Sequence, residues 1–166
     1  MTPRKANALG FAACAAMLAY AYYAQFVMHL EPCPLCIFQR LGIFAIGVVL
    51  GLAALQDPVG WGRKVYAILV ALTALATVGV AARHLYIQSL PPGSVPACGA
   101  SLDFMFKVFA LTDVLVKVLT GSGECAKITW RFLGLSMPGW VLIAALALGV
   151  WGLWANLRRR PPVLRF

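Results

Sequence analysis

Cys33 and Cys36 stand two residues apart within the stretch Glu31-Pro-Cys-Pro-Leu-Cys-Ile-Phe-Gln-Arg40. A Cys-x-x-Cys pair can exchange disulfides, supply half of a zinc site or form a static cross-link. Pro34 suits the first position of a helix, where its missing N–H would be unpaired anyway. Cys33 is then expected at the N-cap, Cys36 in the first turn, and Arg40 one turn below Cys36 on the same face. A helix N-terminus and a nearby cation both lower a thiol pKa, so this geometry favours a thiolate, the reactive form, at Cys36. Zinc is disfavoured, because His29 and His84 are the only imidazoles in the chain and apolar segments flank the motif. No metal site is therefore expected.

The elements that must position this pair are membrane spans. Of the 166 residues, 62% are hydrophobic and 11% charged, well beyond the balance of a soluble domain. The net charge of +9 invites a nucleic-acid partner, but its distribution points to a bilayer. Grouped by the topology below, one side carries Arg4, Lys5, Arg63, Lys64, Arg158, Arg159, Arg160 and Arg165 against Asp57 alone. The other carries Arg40, Arg83, Lys107, Lys117, Lys127 and Arg131 against Glu31, Asp103, Asp113 and Glu124. Basic short ends mark the cytoplasmic side. Cys33, Cys36, Cys98 and Cys125 all fall on the opposite side, where disulfides persist, while Cys14 lies within a span as a small apolar side chain. An even number of outer cysteines argues for two pairs, and arithmetic leaves three connectivities open.

The pattern predicts one all-α membrane domain over 1–166, a four-helix bundle with both termini cytoplasmic. Spans are expected at about 6–28, 37–55, 65–82 and 138–157, with periplasmic loops at about 29–36 and 83–137. The basic start resembles a signal peptide, but the apolar run continues well past Cys14 and no polar mature region follows it. After Arg40 the uncharged run Leu41–Leu55 gives only about 22 Å of helix, so Arg40 must lie at or just inside the bilayer boundary, a costly place that is often functional. Arg83 and His84 close the third span at the level of Arg40, and all three could converge on one polar group of an apolar ligand. In the long second loop, Pro91, Pro92 and Pro96 forbid regular helix before Cys98. Thr112-Asp113 can cap a short interfacial helix reaching Leu119, and Gly121-Ser-Gly123 gives freedom to Glu124-Cys125.

Together these features suit electron transfer by thiol–disulfide exchange. A lipid-soluble quinone reaching Cys36 at the mouth between spans one, two and three could take up two electrons, with Arg40 stabilising negative charge on a quinone oxygen. No acid–base set or phosphate loop competes with this reading.

Cys33-Pro-Leu-Cys36-Ile-Phe-Gln-Arg40, the proline-rich approach to Cys98, Ser122-Gly-Glu-Cys125-Ala and Trp130-Arg-Phe-Leu-Gly-Leu-Ser-Met-Pro-Gly-Trp140 resemble the disulfide bond formation protein B family, over essentially the whole chain. That resemblance implies an inner-membrane thiol:quinone oxidoreductase that reoxidises a periplasmic DsbA-like dithiol oxidase. It implies that the partner attacks Cys98, paired with Cys125, and that Cys125 then attacks Cys33 and frees Cys36. Arg40, His84 and Arg83 would serve the quinone, ubiquinone rather than menaquinone. Two alternatives stand beside it: an enzyme similar to vitamin K epoxide reductase, and a non-enzymatic tetraspan protein with structural disulfides.

Overall fold

The structure is a computed structural model that describes residues 1–91, 123–128 and 130–158. Among these residues four helices are long and apolar enough to cross a membrane. They are α1 (Pro3–Phe26), α2 (Pro34–Gln56), α3 (Trp61–Ser89) and α5 (Met137–Leu157), with a single helical turn, α4 (Gly123–Ala126), before the last. Each begins with local chemistry that the sequence supplies. Thr2 caps α1 by accepting the Lys5 N–H, and Pro3, Pro34 and Pro138 sit in first turns, where a missing donor costs nothing. Between α2 and α3 the chain reverses through Asp57 and Gly60, both with positive φ.

Successive helices pack side by side, and α5 closes the bundle against α1 and α3. The centre is filled by Ile43, Ile46, Leu50, Val70, Ala74, Ala145 and Leu148. Lipid offers no hydrophobic drive for helix association, so close backbone approach carries the packing. A Cβ added at Gly47 would lie 3.0 Å from the Cys14 Cβ, and one at Gly149 would lie 2.9 Å from Ala74. Cys14 is thus a buried packing residue against α2. At the end holding both described chain ends, Asn7 and Asn156 exchange amide hydrogen bonds of 3.1 and 3.0 Å, and the Trp151 indole donates to the Ala6 carbonyl. Arg63 donates to the Arg158 carbonyl beside them. Cys33, Cys36, His84 and Cys125 occupy the opposite end.

Two features depart from the sequence reading. Helix α3 continues past Ala82 to Ser89, so Arg83 and His84 lie within a helix; nothing before Pro91 interrupts its hydrogen bonding. The fold is also not wholly helical. Strands β1 (Arg131–Phe132) and β2 (Leu135–Ser136) pair antiparallel around Leu133-Gly134, both with positive φ, as a two-residue hairpin turn requires. Two-residue strands are too short to leave an alternating pattern. The hairpin is tied down at both edges: Trp140 Nε1 donates to the Phe132 carbonyl at 3.1 Å, and Ser136 Oγ donates to Gln88 Oε1 at 2.8 Å. The short helix expected to end at Leu119, and Cys98 itself, lie outside the described residues.

Candidate functional site

Cys33 is the N-cap of α2, in extended backbone conformation, and its sulfur accepts the Cys36 N–H at 3.3 Å. Pro34 then starts the helix and brings the Cys36 sulfur to 2.7 Å from that of Cys33. From α3, His84 Nε2 approaches the Cys33 sulfur to 3.8 Å. From α4 comes Cys125, fully buried, whose carbonyl accepts from His84 Nε2 at 3.1 Å. The Cys33 sulfur, a His84 ring nitrogen and the Cys125 sulfur all lie within 4.8 Å of one another. Leu35 and Ile87 seal the cluster from below and contribute no exposed surface. Hydrogen bonding with the Cys125 and Cys36 sulfurs, and then burial, hold the Cys33 thiol well above its ordinary pKa.

His84 is oriented by the side chain one turn inside the motif. Gln39 Nε2 lies 3.0 Å from His84 Nδ1, so in this arrangement Gln39 donates, the ring carries its proton on Nε2, and that proton points at the Cys125 carbonyl. Both side chains are buried. Gln39 is a residue to which sequence reasoning gives little weight. It is a polar group at a helix position that would otherwise be apolar, and that was the available signal.

On its other side α2 borders an apolar cavity of about 450 Å³. Cys36, Gln39, Arg40 and Ile43 line it from α2, Met17 and Tyr20 from α1, and Met137, Trp140 and Val141 from α5, with Trp130 beside the hairpin. The cavity thus lies between the first, second and fourth spans. The expected mouth between spans one, two and three is not where it forms, because α5, rather than α3, closes against α1. Cys36 and Arg40 share this wall, four residues apart on one helix face. Arg40 donates to Gln25 Oε1 and, at 3.1 Å, to the Ala21 carbonyl, and its guanidinium lies 5.4 Å from the centre of the Tyr22 ring. All three partners belong to α1, so α1 fixes the cation at the rim. His84 faces the sulfurs, and Arg83 stacks over Tyr86 at 5.2 Å; neither is among the described residues that line the cavity. Trp130 and Trp140, the two ends of the motif Trp130-Arg-Phe-Leu-Gly-Leu-Ser-Met-Pro-Gly-Trp140, line the cavity and are linked by ring contacts through Phe132.

Four apolar helices, with three thiols and an imidazole gathered at the end away from both described chain ends, define a multi-pass membrane protein built for thiol–disulfide chemistry. The family model for the disulfide bond formation protein DsbB matches residues 3–155. A disulfide bond formation protein B of Nitrosococcus oceani is 55% identical over 146 residues, covering 88% of this chain and 86% of that protein. Proteins of the same description from Marinobacter nauticus and Chromobacterium violaceum are each 48% identical, over 162 and 160 residues, and cover at least 96% of both chains. The chain belongs to the DsbB family, and its role is in disulfide bond formation at a membrane.

Proposed function

We propose that this protein is an inner-membrane thiol:quinone oxidoreductase that reoxidises a periplasmic, DsbA-like dithiol oxidase. Its termini face the cytoplasm and its thiol cluster faces the periplasm, in keeping with Arg4, Lys5, Arg63, Lys64 and Arg158 at the opposite end. The observation that carries the reading is the position of Cys33. It has Cys36 on one side at 2.7 Å and Cys125 on the other, within 4.8 Å, and Cys36 in turn lines an apolar cavity with Arg40.

The exchange then runs in balanced steps. A partner thiolate attacks the Cys98 sulfur of a Cys98–Cys125 disulfide and releases Cys125 as a thiolate. The second partner thiol resolves the mixed disulfide, so the partner leaves oxidised and Cys98 is reduced. Cys125 attacks Cys33 of a Cys33–Cys36 disulfide, forming Cys33–Cys125 and releasing Cys36 as a thiolate. His84 steadies this step by holding the Cys125 carbonyl while reaching the Cys33 sulfur. The remaining work of the chain is to bind an apolar ring and to meet negative charge on it. An almost wholly apolar wall with Arg40 and Gln39 as its polar points fits a quinone head group. Cys98 then attacks Cys125 of the Cys33–Cys125 bond, which restores Cys98–Cys125 and leaves the Cys33–Cys36 dithiol, whose two electrons a bound quinone, ubiquinone or menaquinone, would accept as that disulfide re-forms.

Purified protein mixed with reduced partner under anaerobic conditions separates the two halves. Single-turnover exchange without quinone should survive Cys36→Ser up to oxidation of the partner by Cys98–Cys125, with no Cys33–Cys125 bond following because no Cys33–Cys36 disulfide remains to be attacked, and steady-state reduction of either quinone should be lost. Quinone reduction that persists in Cys36→Ser would overturn the relay. Cysteines that stay oxidised in cells whatever the quinone supply would favour structural disulfides instead.

A further inference from the structure

We propose that, once its thiols are reduced, the Cys33–His84–Cys125 cluster is a binding site for a thiophilic divalent cation of the zinc class, with Cys36 as the fourth ligand. It uses the same sulfurs as the redox relay, but the inference stands on the donor geometry and does not rest on quinone chemistry. Sequence reasoning set zinc aside because His29 and His84 are the only imidazoles in the chain and apolar segments flank the motif. The fold supplies one from α3, and a third sulfur from α4, so three separate elements converge.

Distances decide the matter. Zinc bonds of about 2.3 Å to sulfur and 2.0–2.1 Å to nitrogen place tetrahedral ligand atoms roughly 3.4–3.8 Å apart. Cys33 and His84 already stand at 3.8 Å, and no pair among Cys33, His84 and Cys125 exceeds 4.8 Å. Closing on an ion needs movement of about 1 Å, and Cys36, at 2.7 Å from Cys33, must open by a similar amount. Three sulfurs and one imidazole, with no carboxylate in the set, select zinc or cadmium over magnesium or calcium. Gln39 provides the outer support such a histidine needs: rotating its amide presents Oε1 to a proton on Nδ1 and leaves the Nε2 lone pair for the ion. Leu35 and Ile87 give the site a dry floor.

An ion bound there occupies the sulfurs that exchange requires. It binds only the reduced protein, so free ion at one hundred times its dissociation constant biases the chain toward that state by roughly a hundredfold. The full-length protein in detergent, reduced anaerobically with a phosphine, is titrated with cadmium, read by the ultraviolet thiolate-to-cadmium absorption. Zinc affinity is then measured by competition with a chelating dye. One ion per chain is expected, bound at least tenfold more tightly than by a peptide spanning Glu31–Arg40. Cys125→Ser and His84→Gln, checked for retained helicity and elution, should each weaken zinc at least tenfold. X-ray absorption at the zinc edge of the unmutated protein should show three sulfurs and one nitrogen, a test that survives if either variant misfolds. Affinity no better than the peptide, indifference to both substitutions, or a two-sulfur shell would each overturn the site and leave only chelation by the Cys33–Cys36 dithiol.

Discussion

Arg40 lines the cavity while its guanidinium is held by Gln25, Ala21 and Tyr22 of α1, and that makes Gln25 a test of how the cation acts. Arg40→Ala removes the charge itself. If the guanidinium stabilises developing negative charge on a quinone oxygen, its loss should cost about 2–4 kcal/mol in quinone reduction, roughly 30- to 900-fold. Gln25→Ala leaves the charge in place but removes the acceptor of one Arg40 N–H, while the Ala21 carbonyl and the Tyr22 ring remain. A hydrogen bond to a charged group is worth about 1.5–3 kcal/mol. The site is only part-buried, so the low end applies and a fall of about tenfold in kcat/KM for quinone is expected. The decisive measurement is the double-mutant cycle. If Gln25 acts only by positioning Arg40, then Gln25→Ala should have no further effect once Arg40 is alanine. Arg40→Lys should recover part of the loss, because an ammonium keeps the charge but cannot bridge two acceptors as a planar fork does. Single-turnover exchange with the reduced partner, measured without quinone, should be unchanged in all four proteins. Additive losses in the cycle would refute the positioning argument. Equal losses in exchange and in quinone reduction would mean that Arg40 only pins α1 to α2.

Gln39→Leu should strand buried His84 Nδ1 without its donor, lowering stability by about 1–3 kcal/mol and slowing formation of Cys33–Cys125, followed by quenched alkylation; an unaltered exchange rate would remove His84 orientation from the mechanism. Asn7→Leu leaves Asn156 with only the Gly152 carbonyl as partner, Asn156→Leu leaves the Asn7 amide without its partner, and each should cost about 1–2 kcal/mol in detergent unfolding, whereas the double substitution should cost less than the sum; additive costs would count against a mutual lock. Reporter fusions after Asp57 and after Ser101 should signal from opposite sides of the membrane, and a cytoplasmic signal at Ser101 would undo the assigned orientation and the redox reading with it.

Much of the fold can be read from charge alone, because a span announces itself by length without charge. The ends are harder. Arg83, His84 and Gln88 read as loop, yet α3 carries them to Ser89, since polar side chains do not stop a helix that still has a backbone donor at every position. The hairpin at Arg131–Ser136 leaves no periodic trace, and only Leu133-Gly134 hints at its turn. Within the site, Cys33 at the N-cap and Arg40 one turn below Cys36 follow from spacing along a single helix. What could not follow is which helices meet. The pairing of Gln39 with His84 spans forty-five residues, and the cavity borrows Trp130 and Trp140 from the far end of the chain. Sequence gives such residues their order along the chain, whereas packing assigns them a neighbour.

The first two turns of α2 separate two environments and join them. Leu35 faces Ile87 and Cys125 on the thiol side. Cys36, Gln39, Arg40 and Ile43 face the apolar cavity, at the i, i+3, i+4 and i+7 spacing that keeps side chains on one helix face. Gln39 belongs to both, lining the cavity while it holds His84 against the sulfurs. Cys33, at the cap, is the point where the two sides touch. In the proposed relay, a disulfide moving from Cys33–Cys36 to Cys33–Cys125 would change partner across this helix end, and the sulfur set free would be the one on the cavity wall. Neither α2 nor α3 has to shift for that to happen, because Cys33 already touches Cys36 and Cys125 lies within 4.8 Å. On the relay proposed above, the coupling between thiol exchange and the cavity is a property of one helix N-terminus, and a rigid bundle would suffice for chemistry that changes bonds on both sides of it.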